Sequence, residues 1–329
     1  MKPFLIAIGS VFIFSSCHDK KTMESEMDGV VYYRNEMRQF VIGLSVYARN
    51  YDSNFIVIPQ NGQALAREND DASSPVQTNY LAAINGQGRE DLYFGYNNDD
   101  EETPQEERDI WMPALDLLRD EGKTVLVTDY CSTPSNMDQS YAFNQDNGFV
   151  SFAADSRDLN QIPVYPSPIY GENNLVIQNL NEVQNFLYLI DTQDFLTKQD
   201  FIAAVVATNY DLIIMDAFFE DEPYTFAEIE QLRHKANGGY RLVVAYMSIG
   251  EAEDYRYYWQ NTWSFNSPEW MGSVNPDWPG NYKIDYWNPE WQKIIFGDEN
   301  SYLHKILSAG FDGTYLDLID AYEYMEEMN

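Results

Sequence analysis

The chain has 329 residues, room for one large domain or two ordinary ones, and its 44% hydrophobic content is enough for a sizeable core. A formal net charge of -33 repels phosphate backbones, which argues against nucleic-acid partners and disfavours polyanionic substrates. Neutral and cationic ligands remain open, and an aromatic content of 15% with 25 Tyr and 7 Trp suits stacking on sugar rings as well as core packing.

Lys2 precedes an apolar run from Pro3 to Phe14, and Ser15, Ser16 and Cys17 follow. A run of about twelve residues at ~1.5 Å each falls short of a ~30 Å hydrocarbon core, so it reads as a secretory signal. The small residues before Cys17 resemble a bacterial lipobox, with Phe14 where Leu is usual. That resemblance implies cleavage before Cys17, lipidation of its thiol, and a cell-envelope lipoprotein held to the membrane by that anchor. Residues 18–29 are polar and read as a tether, and residues 30–329 as a single folded domain. Cys131 is the only other cysteine, and His18, His234 and His304 are dispersed. No disulfide, zinc site or cofactor is expected, and no Gly-rich phosphate loop is present.

A helical pattern spans Asn35 to Arg49, with apolar Met37, Phe40, Val41, Leu44, Val46 and Tyr47. Short apolar runs then recur, and eight are predicted as strands: Phe55–Ile58, Tyr80–Ile84, Thr124–Thr128, Phe149–Phe152, Phe186–Ile190, Leu212–Met215, Leu242–Tyr246 and Phe311–Leu316. Helical segments at Asp109–Glu121 and Thr225–Ala236 separate some of them, and a Pro-rich stretch, Ile162 to Pro168, reads as a linker. Apolar strands alternating with helices predict a parallel sheet buried on both faces. Eight such units fit an α/β fold of the (β/α)8 TIM-barrel class; an open doubly wound sheet is the alternative.

Most predicted strands run into a carboxylate or amide: Asn61, Asp129, Asp191, Asp216, Glu251 and Asp317. One Asp after a strand is an ordinary helix cap, which is the reading for Asp191. Several gathered at one rim raise each other's proton affinity, as acid–base chemistry requires. Glycoside hydrolysis uses such a carboxyl pair. The loop from Tyr255 to Trp291, with Trp259, Trp263, Trp270, Trp278 and Trp287, suits the walls of a sugar cleft or a self-packed subdomain.

Three segments carry a more specific signal: Ala245-Tyr-Met-Ser-Ile-Gly-Glu-Ala-Glu-Asp-Tyr-Arg256, Asn275-Pro-Asp-Trp-Pro-Gly280 and Gly310-Phe-Asp-Gly-Thr-Tyr-Leu-Asp-Leu-Ile-Asp-Ala-Tyr322. They resemble glycoside hydrolase family 114, in particular its prokaryotic branch once misnamed as related to cysteinyl-tRNA synthetase. The resemblance implies a retaining endo-α-1,4-polygalactosaminidase on a TIM barrel. Segments that follow these motifs in the family, here Pro59-Gln-Asn-Gly62, Gly88-Arg-Glu-Asp91 and Asp129-Tyr130, precede them in this chain. That order implies a circular permutation, with residues 30–155 matching the family's C-terminal half and 186–329 its N-terminal half. The polygalactosaminidase branch carries Glu where this chain has Tyr315.

The expected catalytic residues are therefore Glu251, Asp254 and Asp317, tuned by Asp216 and Asp320. Asn61, Asp129, Tyr130, Tyr246 and Arg256 are expected to bind a polysaccharide substrate. The alternatives are a surface lipoprotein that binds carbohydrate without turnover and a structural or adhesive surface protein.

Overall fold

Helix α1 (Tyr33–Tyr51) buries Met37, Phe40, Val41, Leu44 and Ala48, an i, i+3, i+4, i+7 stripe that must find an apolar partner. That stripe joins the core shared with a set of parallel strands, and the helix packs beside the helices Thr78–Ala83, Tyr302–Ala309 and Ala321–Glu327. The computed structural model describes residues 32–328. Its main strands are β1 (Ile56–Pro59), β2 (Gly86–Glu90), β3 (Thr124–Tyr130), β4 (Val150–Ala154), β5 (Phe186–Leu189), β6 (Leu212–Asp216), β7 (Leu242–Ser248) and β8 (Gly313–Asp317). One five-stranded sheet runs in the order β1-β8-β7-β6-β5, parallel throughout. A second, also parallel, runs β2-β3-β4. A parallel bridge joins Gln60 to Gly88, and Phe152 of β4 lies 5.7 Å from Phe186 of β5, centroid to centroid. The strand interiors are almost entirely buried, as expected for a parallel sheet covered on both faces.

The predicted strand at Tyr80–Ile84 is instead part of helix α2 (Thr78–Ala83), and the strand lies just beyond it, at Gly86–Glu90. A short apolar run has no period that separates strand from helix. The strand itself, Gly-Gln-Gly-Arg-Glu, lacks β-branched residues. Its glycines are there for close approach: a Cβ on Gly88 would run into the Tyr315 hydroxyl, and one on Gly86 would sit 2.7 Å from the Thr124 carbonyl oxygen.

The Trp-rich loop folds as a three-stranded antiparallel sheet of Glu251–Glu253, Asn281–Ile284 and Met271–Val274. Trp263, Trp270 and Trp291 are buried in it, each about 5 Å from the next. Most of this aromatic surface is therefore core, not cleft wall.

At the opposite pole from the strand ends, a fully buried Lys235–Asp211 ion pair, 2.7 Å long, ties down the segment before β5. Asp211 also accepts from Asn173 and from the Gln184 backbone N–H. The helix after β6 (Phe226–Leu232) starts at Thr225, whose hydroxyl accepts from the Glu228 N–H while the Glu228 carboxylate accepts from the Thr225 N–H. Thr225→Ala is expected to lower the unfolding free energy by about 1 kcal/mol, read by urea denaturation.

Cys17, the signal segment and the tether lie outside the described residues. Among the described residues no helix is long and apolar enough to cross a membrane.

Candidate active site

In parallel α/β sheets the C-terminal strand ends and the turns after them carry the chemistry. Here those ends surround one cleft of about 650 Å³, lined among others by Gln60, Asn61, Glu90, Tyr130, Arg157, Asp216, Tyr246, Glu251, Glu253, Arg256, Asp317 and Asp320. Both the residues before 160 and those after 186 contribute walls.

Backbone geometry marks the same rim. Asn61, Asp91 and Leu318, the residues just past Gln60, Glu90 and Asp317, adopt φ of 58°, 57° and 59°. Left-handed non-glycine residues cost about 1 kcal/mol or more each and concentrate where a side chain must be aimed. In the Asn61-Gly62 turn the next residue, Gly62, is also at positive φ, where the lack of a Cβ removes the cost.

Two carboxylates dominate the floor. Glu90 accepts from the Tyr130 hydroxyl, from Gln60 Nε2 at 2.5 Å and from Asn61 Nδ2 at 3.1 Å. Asp317 accepts from the Tyr246 hydroxyl at 2.6 Å and from the Leu318 N–H at 2.7 Å. Burial, followed by the charge of Glu90, pushes the Asp317 carboxyl up to about 7 despite those two donors. One carboxyl is thus surrounded by hydrogen-bond donors while its neighbour holds a proton near neutrality, the asymmetry that acid–base catalysis needs.

The other acids divide by partner. Arg256 donates to Asp216 at 2.7 Å and to Glu253 at 2.7 Å, a largely buried cluster in which one positive charge is shared by two carboxylates, and burial still raises the Asp216 carboxyl. Burial raises Asp320 to about 7, with Glu323 adding to the effect. Glu251 accepts from Asn275 at 2.9 Å, its other oxygen has no partner, and burial raises its carboxyl.

Of the sequence-predicted site residues, Glu251, Asp317, Asp216, Asp320, Asn61, Tyr130, Tyr246 and Arg256 all line the cleft. Asp129 does not. It is fully buried, accepting from Ser140 at 2.6 Å, Asn144 at 3.0 Å and the Tyr93 N–H at 2.8 Å. On β3 it alternates with Tyr130, so only one of the two can face the cleft, and Asp129 instead pins the Tyr93–Phe94 segment after β2 and helix Pro134–Asp146. Asp254 is exposed and is not part of the cleft wall; its N–H donates to the Gly280 carbonyl. The residue that replaces it is Glu253. Arg256, Tyr130 and Tyr246 hold carboxylates here, although the sequence suggested direct sugar contacts for them. Tyr315 lies fully buried below the cleft, 5.2 Å from the ring of Tyr188. The sequence pattern does not point to Glu90, because the apolar run Tyr80–Ile84 predicts the strand six residues before the observed one and so leaves Glu90 in a loop. Of the aromatic loop, Trp278 and Tyr255 reach the cleft with exposed surface. Among the described residues no group of three or more His, Cys, Asp or Glu is arranged to hold a metal ion.

Residues 189–329 match the model of glycoside-hydrolase family GH114. The matched stretch supplies the rim from β5 to β8, including Asp216, Glu251, Glu253, Arg256 and Asp317. An uncharacterized protein of Methanocaldococcus jannaschii is 47% identical over 129 residues, 38% of this chain and 35% of that protein. Others from Deinococcus radiodurans (42% over 121 residues, 36% of each chain) and Thermotoga maritima (36% over 140 residues, 43% of this chain and 40% of that one) are similar. The chain thus spans between about a third and two-fifths of the length of these relatives.

Proposed function

We propose that the protein is an endo-acting glycoside hydrolase in which Asp317 and Glu90 form the carboxyl pair. The observation that carries this is a single cleft in which Asp317, raised to about 7, lies close enough to Glu90 to feel its charge. The GH114 match over β5 to β8 supports the reaction class. Asp317 is positioned to protonate the leaving glycosidic oxygen, and Glu90 either attacks the anomeric carbon or activates a water. The two parallel sheets are read as arcs of one (β/α)8 barrel, β4 beside β5 and β1 beside β2. In the same reading the chain is a circular permutant of the family order, carried to the cell envelope as a Cys17 lipoprotein.

The substrate class best suited to the acidic cleft is an α-linked polymer with amino-sugar units, such as α-1,4-polygalactosamine, whose ammonium groups meet the surplus carboxylates. Trp278 and Tyr255 offer flat faces at the rim. Trp278→Ala is expected to raise KM several-fold with little change in kcat, measured by reducing-end release from that polymer. Because the proposed acid must carry its proton, kcat/KM is expected to fall as pH rises through about 7. A flat profile from pH 6 to 9 would remove Asp317 from that role. A second reading, carbohydrate binding without turnover, is favoured by Tyr315 standing where the polygalactosaminidase branch carries Glu. Saturable glycan binding with no new reducing ends would establish it.

A further inference from the structure

A second cavity of about 690 Å³ adjoins the cleft and shares Asp320 with it. It lies outside the strand ends, between the turn after β1 and helix Gln105–Asp120, and Arg34, Arg67 and Arg89 line it. Arg34 is satisfied by Asp70 at 2.8 Å and Glu326 at 3.1 Å. Arg89 is different. Its guanidinium stacks on the Trp111 ring, 3.4 Å from the centroid. Its buried Nε has no hydrogen-bond partner, and no ion pair among the described residues includes it. The buried Nε of Arg67 is also unpartnered; that side chain spends its Nη1 on the Ser74 carbonyl at 2.9 Å. An arginine carries five donors in a fixed fork, and leaving the buried Nε donors without acceptors is costly. Such an arrangement fits a receptor for a planar or tetrahedral oxyanion, which the fork matches bidentately. The facing acids do not neutralise it by contact. Burial raises both Asp320 and Glu323, so both hold protons more readily than exposed carboxyls.

We propose that this chamber binds an oxyanion group, a carboxylate or phosphate substituent, on the ligand that occupies the neighbouring cleft, with Arg89 on Trp111 as its anchor and Arg67 beside it. The proposal rests on the glycosidase reading for the identity of that ligand. It adds that the glycan carries an occasional acidic substituent, which a chain of this net charge would not select by long-range attraction. Locally, the Arg89 guanidinium, which makes no hydrogen bond among the described residues, and the free Nε of Arg67 select it.

The test is equilibrium binding of galacturonate, inorganic phosphate and galactosamine to the full chain, followed by Trp fluorescence and calorimetry, for the parent, Arg89→Met and Asp317→Asn. At least one anion is expected to bind saturably, and the tighter of the two names the source. Galactosamine is expected to leave anion binding unchanged, and any fluorescence change it causes through Trp278 in the cleft is expected to persist in Arg89→Met. Arg89→Met, which keeps the stem against Trp111, is expected to weaken anion binding at least tenfold without lowering the melting temperature, whereas Asp317→Asn leaves it within twofold. Anion binding unchanged in Arg89→Met, or no saturable anion binding by the parent, would overturn the proposal. Loss of hydrolysis is read separately, through Asp317→Asn, so failure of one reading is distinguishable from failure of the other.

Discussion

Glu90→Gln and Asp317→Asn are each expected to reduce reducing-end release from polygalactosamine by about 10²–10⁴-fold. Both substitutions keep the shape of the side chain and remove only its ability to carry charge or exchange a proton. Tyr130 donates to one oxygen of Glu90 and Gln60 and Asn61 donate to the other, so the introduced amide can keep its oxygen on the two side-chain amides and turn its NH2 to the Tyr130 hydroxyl, which can rotate to accept. What disappears is the nucleophile or base. Asp317→Asn removes the acid. It also has a stability consequence with a definite sign. Burial raises the folded-state carboxyl to about 7, whereas an unfolded Asp titrates near ~3.9. The folded chain therefore holds the proton more tightly, and this group's contribution to stability declines as pH rises from about 4 to 7. Asp317→Asn is expected to gain melting temperature over the parent mainly above pH 7 and least near pH 4. A variant equally stabilised, or destabilised, at both ends would show that the carboxyl is not strained by burial.

The second large effect belongs to Arg256. It is 8% exposed and bridges Asp216 and Glu253, themselves largely buried. Removing one partner of a buried pair leaves uncompensated charge and costs about 3–5 kcal/mol; here two carboxylates would be stranded. Arg256→Met is expected to fall in that range by chemical denaturation and to abolish hydrolysis. Part of the stability should return in Arg256→Met combined with Asp216→Asn and Glu253→Gln, since the stranded charges are then gone while the missing hydrogen bonds remain. A single variant within 1 kcal/mol of the parent would mean the cluster is not the keystone of this wall.

Seven of the eight predicted strands fall within a few residues of the observed ones, because β-branched runs such as Leu212–Met215 and Leu242–Tyr246 are apolar on both faces and leave little ambiguity. The exception, β2, is instructive. Its sequence, Gly-Gln-Gly-Arg-Glu, is chosen by the space that Tyr315 occupies, a long-range steric demand that no local pattern displays. That error concealed Glu90. Asp129 and Tyr130 were both placed at the rim because a strand end read from sequence is uncertain by a residue, and one residue switches the face. Asp254 failed for the same reason. The antiparallel turn into Glu251–Glu253 puts the odd-numbered acids inside, so Glu253 meets Arg256 while Asp254 faces water. Asp317 was legible because the segment that carries it is long and distinctive.

The two carboxyls come from stretches of chain more than two hundred residues apart, and the proposed chemistry has them act on one bond as a unit. The most direct measurement compares hydrolysis rates of Glu90→Gln, Asp317→Asn and the double variant on polygalactosamine. Residues that act as a unit are expected to give a double variant no slower than the slower single one, within about threefold. Losses that multiply, or an active Glu90→Gln, would contradict the pairing.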